Sequence, residues 1–145
     1  MHDGESQQLC KPPLGNTNLK LMLVQVYSAG YNAGNFAEIH IDGEQVLVAN
    51  NEHNHQRGIH IVVINPHDGK IHSVNVFDTY RRSDKFDQFI DEGIEPGHIV
   101  AAACRDDCIT NMSEKGKKWF EDMGSEEIKE LGYRQGFAFI GQFGK

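Results

Sequence analysis

Two Asp-Gly pairs, each set between short apolar runs, restrict what this chain can fold into more than any other feature. Asp42-Gly43 separates Phe36–Ile41 from Gln45–Val48, and Asp68-Gly69 ends the segment NPHDG between Ile59–Ile64 and Lys70–Asp78. Such pairs tolerate positive φ and reverse a chain tightly enough for its flanks to pair antiparallel. The second quarter of the sequence is therefore expected to be antiparallel β, with the first pair in a type I′ turn. Leu19–Ser28 (LKLMLVQVYS) alternates enough for another strand, and AGYNAGN after it reads as a Gly/Asn loop.

The second half changes period. Ser83 is placed to cap a helix running to Ile90, with Phe86, Phe89 and Ile90 on one face. DEGIEPG ends that helix, and Ile99–Ala103 (IVAAA) has the unbroken apolar character of a fully buried strand. TNMSEKGKKWFEDMG predicts a second helix, with Met112, Trp119 and Met123 apolar and Gly124 as its stop. SEEIKELG predicts a short third helix from Ser125 to Gly132, and Phe137–Ile140 a last strand. Residues 1–18, rich in Gln, Pro, Asn and Gly, read as a tail or irregular cover. That leaves 19–145 as one domain, without repeats or linker, of the α+β class.

Composition narrows the partners. A chain of 145 residues, 39% hydrophobic and 24% charged, suits a single globular domain with a real core. Its net charge is −7, from 14 basic and 21 acidic residues, and no basic stripe is visible. Nucleic acid and anionic membrane surfaces need such a stripe, so neither is an expected partner. No apolar run approaches the ~18–20 residues that span a bilayer, so membrane insertion is not expected. MHDGESQQ is polar where a signal peptide is apolar, and composition by itself leaves the compartment open.

Several residues invite chemistry. His53, His55, His60, His67 and His72 crowd one region, and His53-x-His55 on a strand would share a face. No third ligand follows at a recognisable spacing, so no metal is assigned. Cys104-Arg105-Asp106-Asp107-Cys108 follows the apolar strand directly. Three readings compete there: a small disulfide, a nucleophilic thiol, and carboxylates at the sheet rim that accept from a ligand's hydroxyls. A disulfide would leave Cys10 free or paired with another chain; in the cytosol all three would be thiols. Asp78-Thr79-Tyr80 before Arg81-Arg82 reads as a capped turn with solvated charges, and Asn111-Met112-Ser113 matches a glycosylation triplet that chance often supplies. No phosphate loop, dinucleotide fingerprint or nucleophile elbow is present, which favours a binding module over an enzyme.

In order, QRGIHIVVINPHDGKIHSVNVFDTY, IVAAACRDD and MGSEEIKELGYRQGFAFIG resemble the interleukin-like EMT inducer (ILEI, PANDER-like) family over residues 19–145. The resemblance implies a compact α+β domain of two packed antiparallel sheets flanked by short helices. It also implies a secreted or extracellular setting, in which a Cys104–Cys108 disulfide is chemically reasonable. The family's cytokine members carry a different four-cysteine arrangement, which leaves Cys10 as a candidate intermolecular disulfide and the chain as a candidate homodimer.

Matched to the family's lectin-like member, the stem domain of protein O-mannose N-acetylglucosaminyltransferase, the carbohydrate-binding positions fall on Arg57, Asp106 and Arg134. Phe137 stands where that member has a larger Trp, and Gln135 and Gly136 also depart from it. Guanidinium forks, a carboxylate and an aromatic face are what a sugar ring asks for, and Asp107 remains available beside them. The expectation is a secreted, non-enzymatic lectin whose partners are glycans or glycoproteins. The alternative is a cytokine-like ligand acting through a protein receptor. No cofactor is indicated; calcium could enter only through scattered carboxylates, since no EF-hand-type loop is present.

Overall fold

In the structure, a computed structural model describing residues 5–10 and 21–144, both Asp-Gly pairs reverse the chain, but by different means. Asp42 (φ 51°) and Gly43 (φ 82°) are both left-handed, as a type I′ turn requires. They join strand β3 (Phe36–Ile41) to β4 (Glu44–Ala49). In NPHDG only Gly69 has positive φ (72°). The Asn65 side chain accepts from the His67 N–H at 2.9 Å and Asp68 from the Lys70 N–H at 2.9 Å, making a longer loop between β5 (Gly58–Ile64) and β6 (Ile71–Phe77).

Two four-stranded antiparallel sheets result. Adding β1 (Glu5–Cys10), β2 (Met22–Ala29), β7 (Ile99–Arg105) and β8 (Ala138–Gln142), their orders are β1-β2-β3-β4 and β6-β5-β7-β8. The first sheet buries one face, and its strands alternate accordingly. Met22, Val24 and Val26 of β2 point inward with Ala37, Ile39 and Ile41 of β3 and Leu47 of β4. The second sheet is covered on both faces, and β5 and β7 are buried at every position. Val62, Ile64, Ile99, Ala101 and Ala103 meet the first sheet. Ile59, Ile61, Val63, Val100 and Ala102 meet the helices α1 (Asp84–Glu92) and α2 (Glu114–Asp122). This double burial explains the unbroken IVAAA run: no position on that strand faces water, so none needs to be polar.

The helical layer is aromatic. Phe86 of α1 packs on Trp119 and Phe120 of α2, and Phe89 on Trp119, at centroid distances of 5.7–6.1 Å. Ser113 caps α2 by accepting from the Gly116 N–H at 3.0 Å. Ser83 sits at the N-cap of α1 but makes no cap bond. Its hydroxyl donates to Asp87 and accepts from the Ser113 N–H, tying the two helix starts together.

Two expectations are revised. Within the expected tail or cover, Glu5–Cys10 is a strand, in register with β2 from Glu5 opposite Tyr27 to Cys10 opposite Met22. Its pattern does not announce a strand, and its pairing is supplied by the edge of β2. Residues 1–4 and 11–20, including the start of the predicted Leu19–Ser28 strand, lie outside the described residues. The predicted third helix is only a 3-10 turn, Glu127–Lys129. One buried side chain there, Ile128, anchors too little surface to extend a helix.

Candidate carbohydrate-binding site

The loops after β2, β4, β6 and β7 meet the 132–137 segment at one end of the molecule, held by hydrogen bonds that cross between them. Asn35, from the β2–β3 loop, accepts from the Asp106 N–H at 2.9 Å and donates to Asn51 at 3.2 Å. Arg105, buried at the end of β7, donates to Asn51 and to the His55 carbonyl, at 2.9 and 3.0 Å. Ser28 donates to the Cys104 carbonyl at 2.6 Å and accepts from the Phe137 N–H at 3.1 Å. The Tyr31 N–H donates to the Arg134 carbonyl at 3.1 Å. Sequence-distant loops are thereby fixed against each other by buried, directional bonds.

Three of the expected residues come together on this frame. Arg57 donates from Nε and Nη2 to the two oxygens of Asp78 at 2.9 and 2.8 Å, a fork-on-carboxylate pair. Its guanidinium carbon lies 4.2 Å from the centre of the Tyr80 ring. Tyr80 is 6.5 Å from Tyr133. Arg134 lies 5.0 Å from the Tyr133 ring and 3.8 Å from Tyr31, with Nε 3.5 Å from Asp106 Oδ1. Arg57, Tyr80, Tyr133, Arg134 and Tyr31 thus follow one another across the surface, with Asp78 beside Arg57 and Asp106 beside Arg134. The bond it donates to Asp78, aided by the charges of Asp78 and Asp106 and opposed by burial, raises the Arg57 pKa above its usual value. The same Arg57 bond holds the Asp78 carboxyl below its usual range. Both groups are therefore charged across ordinary pH.

Backbone geometry also sets the site. Gly58, next to Arg57, has φ +119°, and a Cβ there would stand 2.0 Å from the Phe77 carbonyl oxygen. Asp106 (φ 64°) and Arg134 (φ 57°) are both left-handed without being glycine. Such conformations persist where surrounding contacts over-determine them and concentrate at ligand sites. A disulfide joins Cys104 to Cys108, with Cα atoms 5.7 Å apart, and closes the neck of the loop carrying Asp106.

Two expected residues are not available to a ligand. Phe137 is 1% exposed and packs on Phe120 at 5.3 Å and Phe139 at 6.1 Å, so neither ring face is offered. The cause is the helical layer, whose aromatic core closes over β8. Asp107 is fully buried and accepts from the Ile109, Thr110 and Arg134 N–H groups and the Thr110 hydroxyl, at 2.9–3.0 Å. Its role is to fold the loop and to hold the Arg134 backbone.

The rings that do face the site are Tyr31, Tyr80 and Tyr133, with Tyr133 59% exposed. Their sequence signal was slight: Tyr80 lies in the Asp78-Thr79-Tyr80 turn and Tyr133 beside Arg134. The histidines do not gather. His53 and His55 lie in an exposed loop, His60 is buried with Nε2 donating to the Gln56 carbonyl at 2.8 Å, and His72 lies against His98 with tilted rings 4.6 Å apart. Among the described residues no cluster of His, Cys, Asp and Glu could hold a metal.

The family model described as interleukin-like EMT inducer matches residues 57–145. The chain belongs to the interleukin-like EMT inducer family. It is 31% identical to human Protein FAM3D over 68% of this chain and 44% of that protein. It is 30% identical to Protein FAM3C of Danio rerio over 68% of this chain and 43% of that protein. Human Protein FAM3A is 31% identical over 70% of this chain and 44% of its own length. The chain thus spans less than half the length of these curated relatives. The interleukin-like EMT inducer match opens on Arg57 and includes Asp78, Tyr80, Asp106, Tyr133 and Arg134. Tyr31, which packs under Arg134, comes from outside it.

Proposed function

We propose that this domain is a secreted, non-enzymatic lectin that holds a terminal sugar against Arg57, Asp106 and Arg134. The observation carrying this reading is the convergence of those residues with exposed tyrosine rings on a rigid loop frame. Only two of the five Arg57 N–H donors are spent on Asp78, and the others remain for hydroxyl oxygens. Asp106 accepts hydroxyl protons, and a tyrosine face packs on the C–H side of a sugar ring. Beside Arg57, Gln56, Val76 and Asp78 line a shallow depression of about 310 Å³.

The carboxylates favour binding over hydrolysis. A glycoside hydrolase needs an acid whose pKa is raised, facing a second carboxylate across a cleft. Here Asp107 is consumed by the loop, and the Asp78 pKa moves downward. The Cys104–Cys108 disulfide is compatible with an oxidising, extracellular location. Cys10, on edge strand β1, is the residue through which we propose a covalent homodimer, giving two sites per particle and useful avidity. Under this reading, Cys10→Ser runs as a monomer in sedimentation and loses agglutination.

The deciding experiment is a glycan array with purified protein, with and without EDTA, beside Arg57→Ala and Asp106→Asn. Binding to a defined terminal sugar, lost in both variants, supports the lectin reading, and resistance to EDTA supports metal independence. Silence from folded protein, with cell binding that free sugars do not compete, overturns it in favour of a cytokine-like ligand with a protein receptor.

A further inference from the structure

The depression beside Arg57 does not end at Asp78. Val76 and Asp78 also line a groove of about 350 Å³ that continues between β6 and the start of α1, walled by Arg81, Arg82 and Lys85. The size is at the lower end of small-ligand sites and suits one further unit of a chain molecule. Its floor is apolar, from Val76 and Phe77.

The charge of this region runs against that of the molecule. The chain is net −7, yet five of its 14 basic residues (Arg57, Arg81, Arg82, Lys85 and Arg134) border the candidate site and this groove. The acids present are largely committed. Asp78 pairs with Arg57, Asp84 with Arg82 at 3.3 Å, and Asp106 with Arg134. Asp87 accepts from the Ser83 and Ser113 hydroxyls. Arg81 and Lys85 are exposed and have no carboxylate within ion-pair distance among the described residues. The start of α1 adds little, because Asp84 and Asp87 already occupy its first turn. Against Asp78, Asp84, Asp87 and Asp106 the five cations leave an excess of about one positive charge, carried by side chains, with the Arg81 charge also acting on Asp78.

We infer that the ligand is an acidic oligosaccharide, with its terminal sugar at Arg57, Asp106 and Arg134 and an adjoining sulfated or uronic unit in the groove between Arg81 and Lys85. The inference rests on the lectin reading and names its ligand class. Arg81 supplies a planar fork that matches sulfate or carboxylate, and Lys85 supplies a point charge with three donors. Because both cations are solvent-exposed, their contribution is screened by salt.

The test measures, by calorimetry, three matched disaccharides that share a terminal sugar found on the array: neutral, sulfated on the adjoining unit, and uronic at that unit. Each is measured at low and high salt with wild type, Arg81→Gln/Lys85→Gln, and Arg57→Ala, with inorganic sulfate as a control for simple anion binding. The expected result is roughly tenfold tighter binding of one or both acidic ligands at low salt, an advantage that shrinks at high salt. The double variant removes that advantage while binding the neutral ligand like wild type; Arg57→Ala weakens all three. Equal affinity for the neutral and acidic ligands overturns the acidic-ligand inference and leaves the lectin reading standing. Acidic binding that ignores Arg57 and is matched by inorganic sulfate overturns the shared-ligand arrangement, leaving an anion site without a sugar site. If no terminal sugar is found on the array, both fall.

Discussion

A Cβ on residue 58 would stand 2.0 Å from the Phe77 carbonyl oxygen, and the backbone there is at φ +119°. Neither partner is a flexible side-chain tip, so Gly58→Ala must push β5 from β6 at the point where Arg57 meets Asp78. It is expected to lose about 3 kcal/mol or more in urea unfolding, as strain of this kind does. Gly43→Ala, at φ +82° with open space around it, is expected to lose only about 1 kcal/mol. Asp107→Ala removes the buried acceptor shared by four donors, including the Arg134 N–H, and is expected to cost about 2 kcal/mol and to weaken ligand binding together with stability. A variant that retained full stability would contradict the structural role given to Asp107. Arg57, Asp106 and Arg134 were legible because they stand in a motif that the resemblance carries. Tyr31 was not, since only the bond from its N–H to the Arg134 carbonyl brings it to the site. Phe137 misled because an aromatic residue reads alike on a binding face and in an aromatic core.

Among the elements, the Cys104–Cys108 loop has the clearest energetic signature. With a sequence separation of 4, its chain-entropy contribution is about 2 kcal/mol, small because the loop is short. Cys104→Ala/Cys108→Ala is therefore expected to fold with about that loss of stability. Amide exchange should rise chiefly at Asp106, Asp107 and Arg134, leaving the centre of β5 protected. Uniform loosening of both sheets would mean that the bridge supports the whole fold and not the loop. The same elements show what pattern could and could not reveal. The β3–β4 turn was readable because Asp42 and Gly43 carry local dihedral preferences, and IVAAA because double burial leaves no room for polar side chains. Strand β1 was hidden because Glu-Ser-Gln-Gln-Leu-Cys has no period of its own and is ordered by pairing with β2. The 127–129 turn was over-read because its acid-rich sequence favours helix locally while only Ile128 is buried.

At the scale of the molecule, two buried histidines tie folding to pH. His60 is 1% exposed, and burial, followed by the charge of Arg105, pulls its pKa below the ordinary 6.5, although its bond to the Gln56 carbonyl acts the other way. His98 is lowered by burial and by His72, against an opposing pull from Glu95, and its Nδ1 accepts from the Glu95 N–H, which a protonated ring could not do. A histidine that stays neutral in the fold but charges in the unfolded chain makes the unfolded state bind more protons once pH drops below 6.5. Stability from these two groups is complete above that pH and declines below it, levelling only when the lowered folded-state values are passed. Asp78 adds a second, separate decline. Its carboxyl is held below 3.8 by Arg57, so its contribution is whole above 3.8 and lost as pH falls through the folded-state value. Urea unfolding from pH 8 to pH 3 should therefore show a plateau, a first fall beginning near 6.5, and a second, separate fall below 3.8. His60→Gln, which keeps a donor for the Gln56 carbonyl and cannot titrate, should flatten the first fall and leave the second unchanged. A first fall of undiminished depth in that variant would remove His60 from the mechanism and place the dependence on His98.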